Sequence, residues 1–231
     1  NNNADVLEAL DKFKSNTEIQ VPNNDTFSMG KIMEELFIEL NQPPKSKLKT
    51  SISIIDEKTG GGMTAPSLMT IGALSSVGKT TMAMAIAQAV AFKGKKVLII
   101  SREMSYKKLA QKYLISSTGI SKKKLDTRDL TKQAWYMINK RIEEYSTYNI
   151  KINDKASTIS QIKKEVIKFK PDLLIVDYLQ LLSPSTMKND NREREVANLS
   201  RELKNMSQDY NMVVIQLSQL RDRAVDTAPQ G

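Results

Sequence analysis

Apolar positions along this chain fall into two patterns, and their alternation predicts its architecture. Short, nearly continuous apolar runs occupy residues 67–73, 95–101, 150–152, 173–177 and 212–216. Their length and β-branched content suit strands buried on both faces. Between them, residues 80–92, 106–118, 131–148, 159–169 and 192–210 carry apolar side chains at helical spacing. Strands alternating with helices predict an α/β fold: a mostly parallel sheet with helices on both faces. No internal repeat is visible.

The first 45 residues read differently. Val6, Leu7, Leu10 and Phe13 share one helical face, and Met29, Ile32, Met33, Leu36, Phe37 and Leu40 share another. A polar stretch containing Pro22 separates them, and Pro43-Pro44 closes the second, since a double proline cannot continue a helix. Two short amphipathic helices joined by a loop bury their stripes poorly against each other. The chain therefore divides into a helical arm, residues 1–45, and a core, residues 46–231. The arm either folds back on its own core or docks on a neighbouring subunit.

Candidate chemistry enters at Ala73-Leu74-Ser75-Ser76-Val77-Gly78-Lys79-Thr80-Thr81, between the first predicted strand and the first core helix. Strand, loop and helix arrive in the order of a phosphate-binding loop. There, successive backbone N–H groups and the positive end of the helix dipole face the phosphates. Lys79 would reach the β- and γ-phosphates, and Thr80 would offer its hydroxyl to Mg²⁺. The residues expected around the nucleotide are Ser75, Ser76, Val77, Gly78, Lys79, Thr80 and Thr81. Ala73 stands where this pattern usually has glycine, and Gly72 lies one position too early to replace it. The competing reading is an ordinary helix start with Ser75, Ser76 and Gly78 as turn residues.

Three strand ends carry polar groups toward the same edge, where open α/β sheets bind ligands. Residues 173–177 end in Asp177, expected at the metal ion opposite Thr80; alone, such an acid serves equally as a cap. Residues 97–101 lead to Glu103, the candidate general base for a water in line with the γ-phosphate; the competing reading is a cap on the helix starting near Ser105. The last strand delivers Ser218 and Gln219. Gln219 either senses the γ-phosphate or attacking water, or is a turn residue.

Composition narrows the chemistry. The chain has 231 residues with no Cys and no His, which removes disulfides, thiol nucleophiles, histidine bases and nearly every zinc site. No apolar run approaches a membrane span, the first residues resemble no signal peptide, and a cytoplasmic setting is expected. Residues 66–231 hold 28 Lys/Arg against 16 Asp/Glu, an excess of +12. That field suits a polyanion, although surface lysines also serve solubility alone. Lys188, Arg192 and Arg194 lie in or beside the loop at 183–191, either a DNA-facing loop or a solvated one. Aromatic content is 6%, so phosphate contacts rather than base stacking would carry nucleic-acid affinity.

Together these pieces resemble the RecA-like motor domain of hexameric replicative DNA helicases of the DnaB type, over residues 48–222. The matching strings run from Ile55 to Gly61 and from Ser75 to Thr80. They continue with Glu103-Met104-Ser105, Asp177-Tyr178-Leu179-Gln180-Leu181 and Leu217-Ser218-Gln219-Leu220. The resemblance implies a P-loop ATPase fold with an N-terminal linker arm, ATP and Mg²⁺ as ligands, and a homo-hexamer around single-stranded DNA with 5′-to-3′ polarity. It implies Lys79 and Thr80 at the triphosphate and metal, Asp177 as metal-site acid, Glu103 as base and Gln219 as the link to DNA. It also implies primase and loader contacts through segments other than these. In the family, further strands and a basic finger follow the position of Gly231. Such a finger is typically worth ~10³ to 10⁵ in rate, so these residues alone are expected to hydrolyse ATP slowly. A RecA-like recombinase or loader, a nucleotide-gated assembly module and a small-molecule kinase remain as other readings. The kinase fits least, because two strand-end acids and a polar sensor suit water activation.

Overall fold

The computed structural model describes residues 27–44, 46–182 and 192–220. It divides into two units, 1–45 and 46–231. In the first, α1 (Met29–Leu40) is capped by Ser28, whose hydroxyl accepts the Lys31 N–H, and it buries none of its side chains. The expected helix carrying Val6, Leu7, Leu10 and Phe13 lies outside the described residues.

The second unit begins with an antiparallel bridge between Leu48 and Met63 and a six-residue helix, α2 (Ser53–Lys58). Asp56 secures this corner by accepting the Thr50 N–H and hydroxyl, both at 2.8 Å, and the Ser51 N–H at 3.1 Å. Burial opposes its charge, but these bonds outweigh it and hold the carboxyl below its ordinary value. Gly62 closes the turn at φ +133, where a Cβ would stand 2.9 Å from the Leu48 carbonyl oxygen. Only glycine fits that approach.

Five strands follow: β1 (Ser67–Ala73), β2 (Val97–Ser101), β3 (Ile150–Asn153), β4 (Leu173–Asp177) and β5 (Val213–Gln219). They pair in parallel in the order β1-β5-β4-β2-β3. The helices are α3 (Lys79–Phe92), α4 (Tyr106–Thr118), α5 (Lys122–Thr127), α6 (Lys132–Ser146), α7 (Ile159–Phe169) and α8 (Arg192–Asp209).

The strands read as continuous apolar runs because both faces are covered. Val97, Ile99, Leu173, Ile175, Val213 and Ile215 pack with Ile86 and Val90 of α3 and Leu109 and Tyr113 of α4. Leu98, Ile100, Leu174, Val176 and Val214 pack on the other face with Ile162 and Val166 of α7 and Leu199 and Leu203 of α8. Tyr113 also donates its hydroxyl to the Met84 carbonyl at 3.0 Å, fixing α4 on α3. Burial pushes that phenol well above its usual range. Helix α7 begins with a capping box in which Thr158 and Gln161 satisfy each other's backbone N–H groups.

Candidate active site

All five strands are parallel, so their C-terminal ends lie on one edge of the sheet. Strand order sets out the polar ends in a row. Ser101 at the end of β2 is aligned with Asp177 at the end of β4. Beside β4 runs β5, and Gln219 at its end is aligned with Ala73, the last residue of β1 before the loop. Glu103, Asp177, Gln219 and the loop thus line up along one edge.

The loop turns through two left-handed residues, Ser76 (φ 64) and Gly78 (φ 103), and Gly78 is the N-cap of α3 with no side-chain cap of its own. Ala73 ends β1 as an ordinary strand residue, which explains why a Cβ is tolerated there. Its carbonyl accepts both the Lys79 ammonium at 2.9 Å and the Leu220 N–H at 3.0 Å. Lys79 also donates to the Leu74 carbonyl at 2.8 Å. Ser75, Ser76, Val77, Gly78 and Thr81 are exposed, whereas Thr80 is 8% exposed under the first turn of α3.

Asp177 is 2% exposed, and neither of its oxygens has a hydrogen-bond partner of good geometry. Burial pushes its carboxyl above the ordinary aspartate value, and the Glu103 carboxylate adds to the rise. The Thr80 hydroxyl is the strongest influence in the other direction, followed by Lys112 and Lys79. A buried carboxylate whose oxygens lack a well-formed hydrogen bond, next to a hydroxyl, offers hard oxygen donors of the kind a divalent cation takes. No cluster of three acidic side chains occurs among the described residues.

Glu103 is exposed on the turn after β2. Ser101 closes that turn by donating its hydroxyl to the Met104 carbonyl at 2.7 Å, and the Arg102 N–H bonds the Asp177 carbonyl at 2.6 Å. The first turn of α4 is served by a different acid: Asp154, after β3, accepts the Tyr106 N–H at 3.0 Å. Arg102 reaches the same segment, donating from Nη1 to the Asp154 carbonyl at 2.8 Å. Lys188 lies outside the described residues. Arg192 opens α8, and Arg194 is exposed in its first turn.

Sequence reasoning missed two side chains at this edge. Asp154 left no signal, because its partner is 48 residues away in sequence. Gln180 stands inside a quoted motif without an assigned role, yet its amide bonds both Ser218 and Gln219.

Residues 47–230 match the family model of the DnaB-like helicase C-terminal domain. The chain belongs to that family. A probable replicative DNA helicase of Trieres chinensis is 30% identical over 94% of this chain and 50% of its own length. The replicative DNA helicase DnaC of Bacillus subtilis (strain 168) is 34% identical over 75% of this chain and 39% of its own. The chain thus spans half or less of these curated relatives. A solved DnaB-like replicative helicase, described with its interactions with primase, superposes with a TM-score of 0.74 at 26% identity. That alignment covers 96% of this chain and 54% of that one. Membership in the DnaB-like family decides for the helicase branch over the recombinase and kinase readings. Among the described residues no helix is long and apolar enough to cross a membrane.

Proposed function

We propose that this chain is the motor of a cytoplasmic replicative helicase, a ring of six copies that hydrolyses ATP to travel 5′ to 3′ along single-stranded DNA and open the duplex. The observation that carries the reading is Asp177: a buried acid at the end of β4, its oxygens without a hydrogen bond of good geometry, beside the Thr80 hydroxyl and within the electrostatic reach of Lys79. Lys79 would exchange its two carbonyl partners, Ala73 and Leu74, for β- and γ-phosphate oxygens, replacing neutral acceptors by charged ones. Ser75, Ser76, Val77, Gly78 and Thr81 would present the loop backbone and the α3 N-terminus to the phosphates.

Thr80 and Asp177 would hold Mg²⁺, Thr80 directly and Asp177 through water. When bound, Mg²⁺ neutralises charge building on the phosphate oxygens. Glu103 is exposed, and its carboxylate contributes to the raised pKa of Asp177, which supports reading it as the base. Its role would be to orient a water and accept its proton. Gln219, beside the strand that opens the loop, would register whether the γ-phosphate is intact.

Arg192 and Arg194, with Lys188, are the proposed DNA-facing cations. Primase and a loader are proposed partners through other parts of the whole protein. The deciding experiment is ATP hydrolysis by the intact protein with and without single-stranded DNA, together with unwinding of a forked duplex. Turnover that ignores DNA would reject the motor reading.

A further inference from the structure

Strand β4 pairs with β5 only as far as Val176 opposite Gln216, yet β5 runs on to Gln219. Past that point the chain after β4 leaves the sheet through a 3-10 turn, Leu179–Leu181, fixed by the fully buried Leu179 and Leu182. The backbone of Gln219 therefore lacks a strand partner on that side. A side chain supplies one. Gln180 Oε1 accepts the Gln219 N–H at 3.3 Å, and Gln180 Nε2 donates to the Gln219 carbonyl at 3.2 Å. The same Nε2 donates to the Ser218 hydroxyl at 2.8 Å.

A primary amide that pairs with the N–H and C=O of one residue reproduces the two-bond ring of a bridge between strands. On the opposite side, Gln219 is aligned with Ala73, and the Leu220 N–H bonds the Ala73 carbonyl. Gln219 is thus held from both flanks: by the strand that opens the phosphate loop, and by a side chain three residues after Asp177.

We propose that Gln180 is a positioning residue that keeps Gln219 in register with the phosphate loop and ties it to the strand carrying Asp177. The inference rests on the reading of Gln219 as nucleotide sensor. Gln180 acts through Gln219 and needs no contact with nucleotide. Its chemistry is specific. A glutamate of the same size keeps the acceptor for the Gln219 N–H but sets an anion against the Gln219 carbonyl. An asparagine is one methylene short of both partners. Neither replaces an amide with donor and acceptor at this reach.

The test uses Gln180→Ala and Gln180→Glu in the intact protein, each alone and combined with Gln219→Ala. Each Gln180 variant should lower DNA-stimulated kcat about tenfold or more while KM for ATP stays within about twofold, since the lost contact lies outside the binding loop. In the Gln219→Ala background, adding Gln180→Ala should change turnover by less than about twofold, because two residues acting as one unit are not additive. Independently of turnover, backbone hydrogen exchange at Gln219 should quicken in Gln180→Ala while exchange at Val214, inside the paired ladder, stays the same. Unchanged turnover in the Gln180 variants, losses that multiply in the double variant, or unchanged exchange at Gln219 would each overturn the proposal. If the wild-type protein hydrolyses no ATP, the motor reading fails, and exchange at Gln219 still decides whether Gln180 holds it in place.

Discussion

Lys79 is joined to Ala73 by a 2.9 Å hydrogen bond from its ammonium to the backbone carbonyl. The same carbonyl takes the Leu220 N–H, so the loop lysine and the end of β5 share one acceptor. Movement of Lys79 toward a phosphate would release half of that shared acceptor. The arrangement gives the nucleotide loop and the β5 end a common backbone atom.

Removal of the ammonium in Lys79→Ala should cut ATP turnover by about 10²- to 10³-fold or more, the scale of losing one charge-stabilising donor. The fold should survive, because the Leu74 carbonyl is exposed, the half-buried Ala73 carbonyl keeps the Leu220 N–H, and each such bond contributes only about 1 kcal/mol. Turnover and thermal melting of the intact protein check both halves. A melting temperature that collapses along with activity would show that Lys79 is structural instead.

Under the proposed assignment, Asp177 trades stability for metal binding. Its folded pKa is raised by burial, with Glu103 adding to the rise. The fold thus favours the neutral carboxyl. The stability this provides is complete below the ordinary aspartate value of 3.8 and is lost as pH rises through the elevated folded value. At neutral pH the charged side chain is a burden. Asp177→Asn should therefore raise the melting temperature of the nucleotide-free protein by a few degrees while weakening Mg²⁺-dependent ATP binding. Calorimetric melting and nucleotide titration with and without Mg²⁺ read the two effects. A lower melting temperature would contradict the burial argument.

The strands were legible in the sequence because burial on both faces leaves an unbroken apolar run, as in Leu173-Leu174-Ile175-Val176. The turn between β1 and α3 was legible because Ser76 and Gly78 sit between an apolar strand and a helical period. The end of β5 was not. Its apolar run stops before Ser218, but the strand continues to Gln219, held by the Gln180 amide and by Ala73. Helix α2 was missed because six residues give no period, and the corner is set by tertiary bonds to Asp56. A helix cap at Ser105 was one reading of Glu103. The structure assigns the Tyr106 N–H to Asp154, a pairing that becomes visible only once β3 lies beside β2.

The arm should govern assembly. Met29, Met33, Leu36, Phe37 and Leu40 are all exposed on α1, an apolar stripe that seeks a partner. Met33→Asp with Phe37→Asp should shift the intact protein from the proposed ring to smaller species in sedimentation, with no loss of secondary structure in the core. An unchanged sedimentation profile would remove the bridging role from α1.

Contact with DNA should be carried by phosphates. The +12 excess in residues 66–231 and the low aromatic content both point that way. The logarithm of affinity for single-stranded DNA should fall linearly with the logarithm of salt, by about 0.7 per phosphate neutralised. Arg194→Ala should lower that slope by roughly one contact. Fluorescence titration at several salt concentrations measures it, and salt-independent binding would contradict the phosphate model.

Glu103→Gln tests the central claim most directly, because it keeps the side chain's size and removes its basicity. The measurement is ATP turnover of the intact protein with single-stranded DNA, paired with Mg²⁺-dependent nucleotide binding. With Glu103 as the base, turnover falls by about 10²- to 10⁴-fold, the usual share of general base catalysis, while binding and melting temperature stay near wild type. Turnover equal to wild type would contradict the assignment of this sheet edge as an ATP-hydrolysing site built on Glu103, Asp177 and Lys79.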